Sequence, residues 1–409
     1  MKTKILHTTK FIFLIAMVVA AFCFADLFPY SVRSFSYGVS LAIKEVLVFI
    51  LPLIVFSIVF QSVSKLQGTN ALKVILSLIA LIMLSNSASM TTAHFVGKFA
   101  TSHMSGSLQV SESAKTGGLE PYFSFSLPSH ISCLKAVLLG FLCGMVLPYV
   151  TKGRSFAIAN IMGKYSIFIL EKMFAPILPI FIAGLVFRMQ SENLVGILQG
   201  NSEVALYFFF SALLHIILLY IIAAGFSLRD AFDKFKSMVP TALFAFTTMS
   251  SLISMPLILK TVKKNSGNND LADIIVPTSL NVHLVGDCFL MIIMSLVISI
   301  SFHGVGFIST ADYATFLFYF LLTKFAVVSI PGGGILVMLP IFEQYLHYSP
   351  AMLSLITTLY VILDPITTFL NVLGNGAFSL LFSRIYDRIS NKIRFREQLK
   401  GAVPDYKYF

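Results

Sequence analysis

Four side chains near the C-terminus are spaced for chemistry on one helix face. In YVILDPITTFLNVLGNGAFSLLFSR (360–384), Asp364, Thr368, Asn371 and Asn375 stand at i, i+4, i+7 and i+11. At 1.5 Å per residue they make one polar stripe about 16 Å long, with Thr367 beside it. Pro365 has no N–H to give the carbonyl of Val361, so that oxygen is open to a ligand or an ion. The surrounding residues are apolar, and a carboxylate at membrane depth marks a functional site by default. A polar seam joining two helices accounts for Thr and Asn more readily than for Asp364.

Three other segments carry polar groups in apolar surroundings. In AFTTMSSLISMP (245–256), Thr247, Thr248, Ser250, Ser251 and Ser254 can cap helix ends within a membrane. Helix N-termini meeting at such a tip offer free N–H groups that suit a carboxylate; close packing of small residues is the competing reading. In SIPGGGILVMLP (329–340), Pro331 and Gly332-Gly333-Gly334 interrupt any helix. Irregular backbone at that depth belongs where protein buries it or where it lines a cavity. In VPTSLNVHLVGDCFL (276–290), His283 and Asp287 are four apart. On a helix they share a face, where they carry a proton or form a structural pair. His215 reads as an interhelical donor, Lys44 and Lys135 as snorkelling residues, and Glu45 has no assignment.

The elements that hold these groups are transmembrane helices. The 409 residues are 57% hydrophobic and only 11% charged, against about 25% charged in a typical soluble domain. This excludes an ordinary soluble enzyme, and the hydrophobic content excludes disorder. Continuous apolar runs such as FIFLIAMVVAAFCF (11–24) argue against the alternation of a β-barrel. Spans of about 20 residues are expected at 9–29, 38–62, 72–97, 131–150, 158–187 and 204–226. Apolar segments follow at 237–261, 272–302, 314–344 and 350–383, of which 237–261 and 314–344 are broken in the middle. If those two are re-entrant hairpins between eight full spans, the basic clusters fall on one side. Both termini are then cytoplasmic, and the net charge of +11 reports orientation, with no nucleic acid as partner. The expected location is a bacterial inner membrane.

The basic N-terminus imitates a signal peptide but reads as an uncleaved first span. The four cysteines lack metal or redox spacing. The Ser- and Gly-rich stretch at about 100–130 is a flexible linker. With no nucleotide-binding loop and no nucleophile motif, neither an enzyme nor a cofactor is expected.

AFTTMSSLISMP, SIPGGG and LDPITTFLNVLGNGA, in this order, resemble the dicarboxylate/amino acid:cation symporter family, which includes the glutamate transporters. The likeness is close over 237–385 and looser before it. It implies an all-α membrane protein with eight spans and two re-entrant hairpins, working as a homotrimer by an elevator mechanism. Spans 1, 2, 4 and 5 would be scaffold. Spans 3 and 6, from the N-terminal part (1–235), would join the transport core (236–385), leaving a basic cytoplasmic tail (386–409). By resemblance, Asp364 holds a substrate amino group. Asn371 binds its α-carboxylate, with Thr368 as a neighbouring contact. Ser250 and Ser251 lie near that carboxylate, and Ile330, Pro331 and Gly332 form the tip that closes over it.

The departures from the family pattern bear on substrate and coupling. Thr367 stands where an arginine pairs with an acidic side chain, so a neutral amino acid is favoured. Asn375 replaces a sodium-binding aspartate, and His283 to Asp287 replace Asn-Met-Asp-Gly-Thr, losing two sodium-site side chains. Lys324 lies near hairpin backbone that lines another sodium site, and either substitutes for a sodium or snorkels. Asn86-Ser87 match a third sodium site. The expected activity is symport of a neutral amino acid with Na+ or H+. A dicarboxylate or acidic amino acid carrier, with a cation such as Lys324 replacing the arginine, is one alternative. An uncoupled channel-like or non-transporting protein is the other.

Overall fold

The computed structural model describes residues 27–64, 71–103, 119–124, 126–127, 131, 133–151, 153–191, 202–304, 308–327 and 332–401. All regular elements among them are helices: α1 (Tyr30–Ser64), α2 (Ala71–His103), α3 (Cys133–Val150), α4 (Arg154–Phe168), α5 (Ala175–Ser191), α6 (Ser202–Ala223), α7 (Leu228–Thr248), α8 (Ser251–Ser266), α9 (Asn269–Ser279), α10 (Val285–His303), α11 (Thr310–Thr323), α12 (Gly333–Tyr345) and α13 (Pro350–Gly401). The proposed first span, 9–29, lies almost wholly outside the described residues. A π-helical turn, Ile169–Phe174, joins α4 to α5, so the single span expected at 158–187 is a composite.

Membrane character follows from length and surface together. Among the described residues four helices are long and apolar enough to cross a bilayer: Leu76–Ser102, Glu203–Ala223, Val285–His303 and Pro350–Arg388. Large apolar side chains stand open on the outer faces of α2 and α6, including Leu84, Phe95, Phe210 and Leu214. Water would penalise so much exposed apolar area, and lipid does not. By contrast α10 is buried on nearly every side, as befits a helix apolar all round.

The helices sort into two packing groups that meet where α5 packs on α13. α1 gathers α3, α4 and α5, while α10 and α13 gather α2 and α6, with α7 and α8 against α13. Where the sequence breaks, the helices end by identifiable means. α7 stops at Met249, in the left-handed region (φ 49°), and α8 begins after extended Ser250. α9 begins at Asn268, whose side chain accepts the Leu271 N–H. α11 gives way to a short 3₁₀ turn, Lys324–Ala326. α12 starts after Gly332, whose φ of 71° favours glycine.

The linker splits into two parts. Residues 104–118 lie outside the described residues. The following stretch is pinned to the first packing group: Ser34 Oγ donates to Glu120 O at 2.7 Å and Arg188 Nη1 to Leu119 O at 2.6 Å. Glu45, unassigned from sequence, accepts the Leu127 N–H at 3.4 Å.

Candidate functional site

The break between α9 and α10 reorganises what the sequence suggested. Residues 280–284 form a non-helical turn and α10 begins only at Val285. His283 therefore precedes the helix, and its four-residue spacing from Asp287 does not place them together. The expected His283–Asp287 pairing is corrected: the His283 ring meets Ser85, and the Asp287 carboxylate meets Lys324.

Asp287 sits in the first turn of α10, where the helix dipole favours an anion. Its Oδ2 is 3.5 Å from Lys324 Nζ, and both side chains are essentially sealed, at 2% and 0% exposure. The snorkelling reading of Lys324 is thereby corrected, since a fully buried ammonium does not reach the interface. Its Nζ also lies 4.1 Å from the Phe320 ring centre and 3.9 Å from Met291 Sδ. The other carboxylate oxygen of Asp287 accepts from Asn371 Nδ2 at 3.1 Å and Tyr360 OH at 3.3 Å. Asn371 Oδ1 accepts the Asp287 backbone N–H at 3.4 Å. A side chain on Gly334 would collide with the Tyr360 hydroxyl and with Asp287 Oδ2, so the first turn of α12 closes on this carboxylate.

Asp364 lies nearby on α13, buried. Its Oδ2 accepts the Gly332 N–H at 2.9 Å, and Thr368 Oγ1 is 3.5 Å from its Oδ1. An aspartate on one helix thus satisfies an orphan N–H at the start of another. Ile330 and Pro331, the rest of the expected tip, lie outside the described residues. Thr367 is fully buried and donates to Leu363 O at 3.0 Å within its own helix. Ser250 and Ser251 are buried at the start of α8; the side chains of Thr247 and Thr248 lie outside the described residues.

The second network surrounds the turn before α10. Ser85 Oγ meets His283 Nε2 at 2.8 Å, and the His283 ring stacks on Phe378 with centres 4.4 Å apart. Asn86 donates to Val282 O at 2.8 Å and accepts the Leu284 N–H at 3.3 Å. Asn375 donates to His283 O at 3.1 Å and to Asn371 O at 3.0 Å. Among the described residues, buried His283 Nδ1 and Asn375 Oδ1 have no hydrogen-bond partner. In α2 it is thus Ser85 and Asn86 that meet this turn, in place of the expected Asn86-Ser87 pair. His215 meets Ser89 at 3.1 Å across α6 and α2, as an interhelical polar pair should.

Tyr360 was missed from sequence although a signal existed. It lies four residues before Asp364, so it extends the same stripe by one turn. Asn86 was marked by the family resemblance, whereas Ser85 carried no comparable signal, because only the tertiary fold brings α2 against the turn.

Discontinuous helices meeting around buried charge inside an apolar bundle are the construction by which membrane transporters hold polar solutes at bilayer depth. The chain belongs to the sodium:dicarboxylate symporter family, whose family model matches residues 9–385. No curated protein sequence matches it. Membership makes it a membrane transporter and not an enzyme, with symport of dicarboxylates or amino acids as the general activity.

Proposed function

We propose that the protein carries neutral α-amino acids by symport with a monovalent cation, Na+ or H+. One observation carries this reading. Among the described residues the buried Asp, Glu, Lys and Arg side chains are Asp287, Asp364 and Lys324. With all three ionised, two negative charges face one positive charge. A zwitterion adds nothing to that balance, and a single cation completes it. An acidic amino acid adds another negative charge and a dicarboxylate adds two, each in a medium that penalises unpaired charge heavily.

The local chemistry fits the same substrate. Asp364 supplies a carboxylate for an ammonium group. The amide of Asn371 and the serines at the start of α8 supply donors for a carboxylate. Thr367 is uncharged, and Lys324 is engaged by Asp287, which leaves neither as an obvious partner for a second substrate carboxylate. His283, with one open ring nitrogen, is the proposed proton carrier if the coupling ion is H+. The two packing groups support an elevator, with α2, α6, α7, α8, α10 and α13 moving against the α1 group, and a homotrimer remains part of this proposal.

Competition in proteoliposomes tests the substrate assignment. Labelled alanine or serine is taken up under imposed sodium or pH gradients, with unlabelled serine, aspartate and succinate as competitors. Serine should compete strongly and aspartate and succinate weakly. Stronger competition by aspartate or succinate would overturn the assignment. Uptake that follows the pH gradient and ignores sodium identifies H+ as the coupling ion; the reverse pattern removes the role proposed for His283.

A further inference from the structure

We propose that Lys324 is a tethered counter-ion, and that the space around its ammonium is a latent monovalent-cation site. Three surroundings of Nζ favour a single positive charge of small size. Asp287 Oδ2 is 3.5 Å away, the face of Phe320 lies at 4.1 Å, and Met291 presents its sulfur at 3.9 Å. A carboxylate, a ring face and a polarisable sulfur suit an alkali cation or a small alkylammonium. Without a cation there, Asp287 would be a buried carboxylate that either bears a large desolvation cost or takes up a proton. Its Oδ1 has two neutral donors, Tyr360 and Asn371, while its Oδ2 faces the ammonium, which supplies the opposite charge.

The position of the pair gives it a task. Lys324 caps the end of the first arm of the broken segment, α11, and Gly334 lies in the first turn of the second arm, α12. Both arms close on the same Asp287 carboxylate. Because the ammonium is part of the chain, this closure does not wait for a diffusible ion. The inference does not depend on which amino acid is carried.

Thermal unfolding of the full-length protein in detergent tests it, at constant ionic strength with choline, sodium, potassium or methylammonium as the cation. Lys324→Met removes the charge and keeps most of the volume. Its melting temperature should rise when sodium, potassium or methylammonium replaces choline, by several degrees more than the wild-type protein's does. Lys324→Met/Asp287→Asn removes both charges and should respond like the wild type. A purely packing role for Lys324 predicts no cation response in either variant. The proposal is overturned if Lys324→Met responds no more than wild type, or if the double variant responds equally. Failure of Lys324→Met to fold in every cation, while the double variant folds, also overturns it. So does failure of both variants to fold, because the side chain would then be needed for more than its charge. None of these readings uses uptake, so a wrong substrate assignment leaves them intact.

Discussion

At the scale of single residues, Asp364 has two claims on its carboxylate. It accepts the Gly332 N–H at the start of α12, and it is the proposed holder of a substrate ammonium. Asp364→Asn keeps the shape and an acceptor oxygen but removes the charge. A hydrogen bond to a charged group is worth about 1.5–3 kcal/mol, so the apparent affinity for the amino acid should fall about 10–100-fold. Counterflow assays over a range of substrate concentrations measure this. Unchanged affinity would leave Asp364 only its role at the helix start. The polar stripe was legible because Asp364, Thr368, Asn371 and Asn375 lie on one uninterrupted helix, where spacing maps directly onto a face. His283 and Asp287 were misread because that mapping presumes a helix, and the helix begins between them.

At the scale of elements, the breaks matter more than the helices. The interruption near Gly332 was legible from Pro331 and three consecutive glycines. The interruption at 280–284 lacked such punctuation: Pro277 stands inside α9, and the turn comes three residues later. Asn86 helps to hold it there by bonding both Val282 O and the Leu284 N–H. That dependence on a residue about 200 positions away is what local sequence could not reveal.

The first turn of α12 offers a direct test of how tightly the two arms close. Gly334→Ala places a methyl group against the Tyr360 hydroxyl and Asp287. Overpacking of this kind costs about 1–3 kcal/mol. We expect a lower melting temperature and a larger loss in uptake than in expression. Wild-type uptake and stability in Gly334→Ala would show that α12 has slack at this point.

At the scale of the molecule, composition was sufficient to identify a helical membrane protein, and the order of three motifs pointed to the family that residues 9–385 match. The partition into two packing groups was not legible from composition, which does not say which helix a span meets. Orientation rests on the basic clusters and is open to measurement. A fluorescent reporter fused after Phe409 should fold and fluoresce as a cytoplasmic domain. A periplasmic phosphatase inserted at Lys115 should be active. The opposite pair of results would invert the topology.

The docking of residues 119–127 on Ser34, Glu45 and Arg188 sets a ruler for any sliding of one packing group past the other. α2 ends at His103 in the second group, and the chain is anchored to the first group again at Leu119. Residues 104–118 join these two points, and fifteen residues reach at most about 50 Å when fully drawn out. If the two groups slide as proposed, this leash bounds the stroke, and each residue removed from it should shorten the available travel by about 3.5 Å.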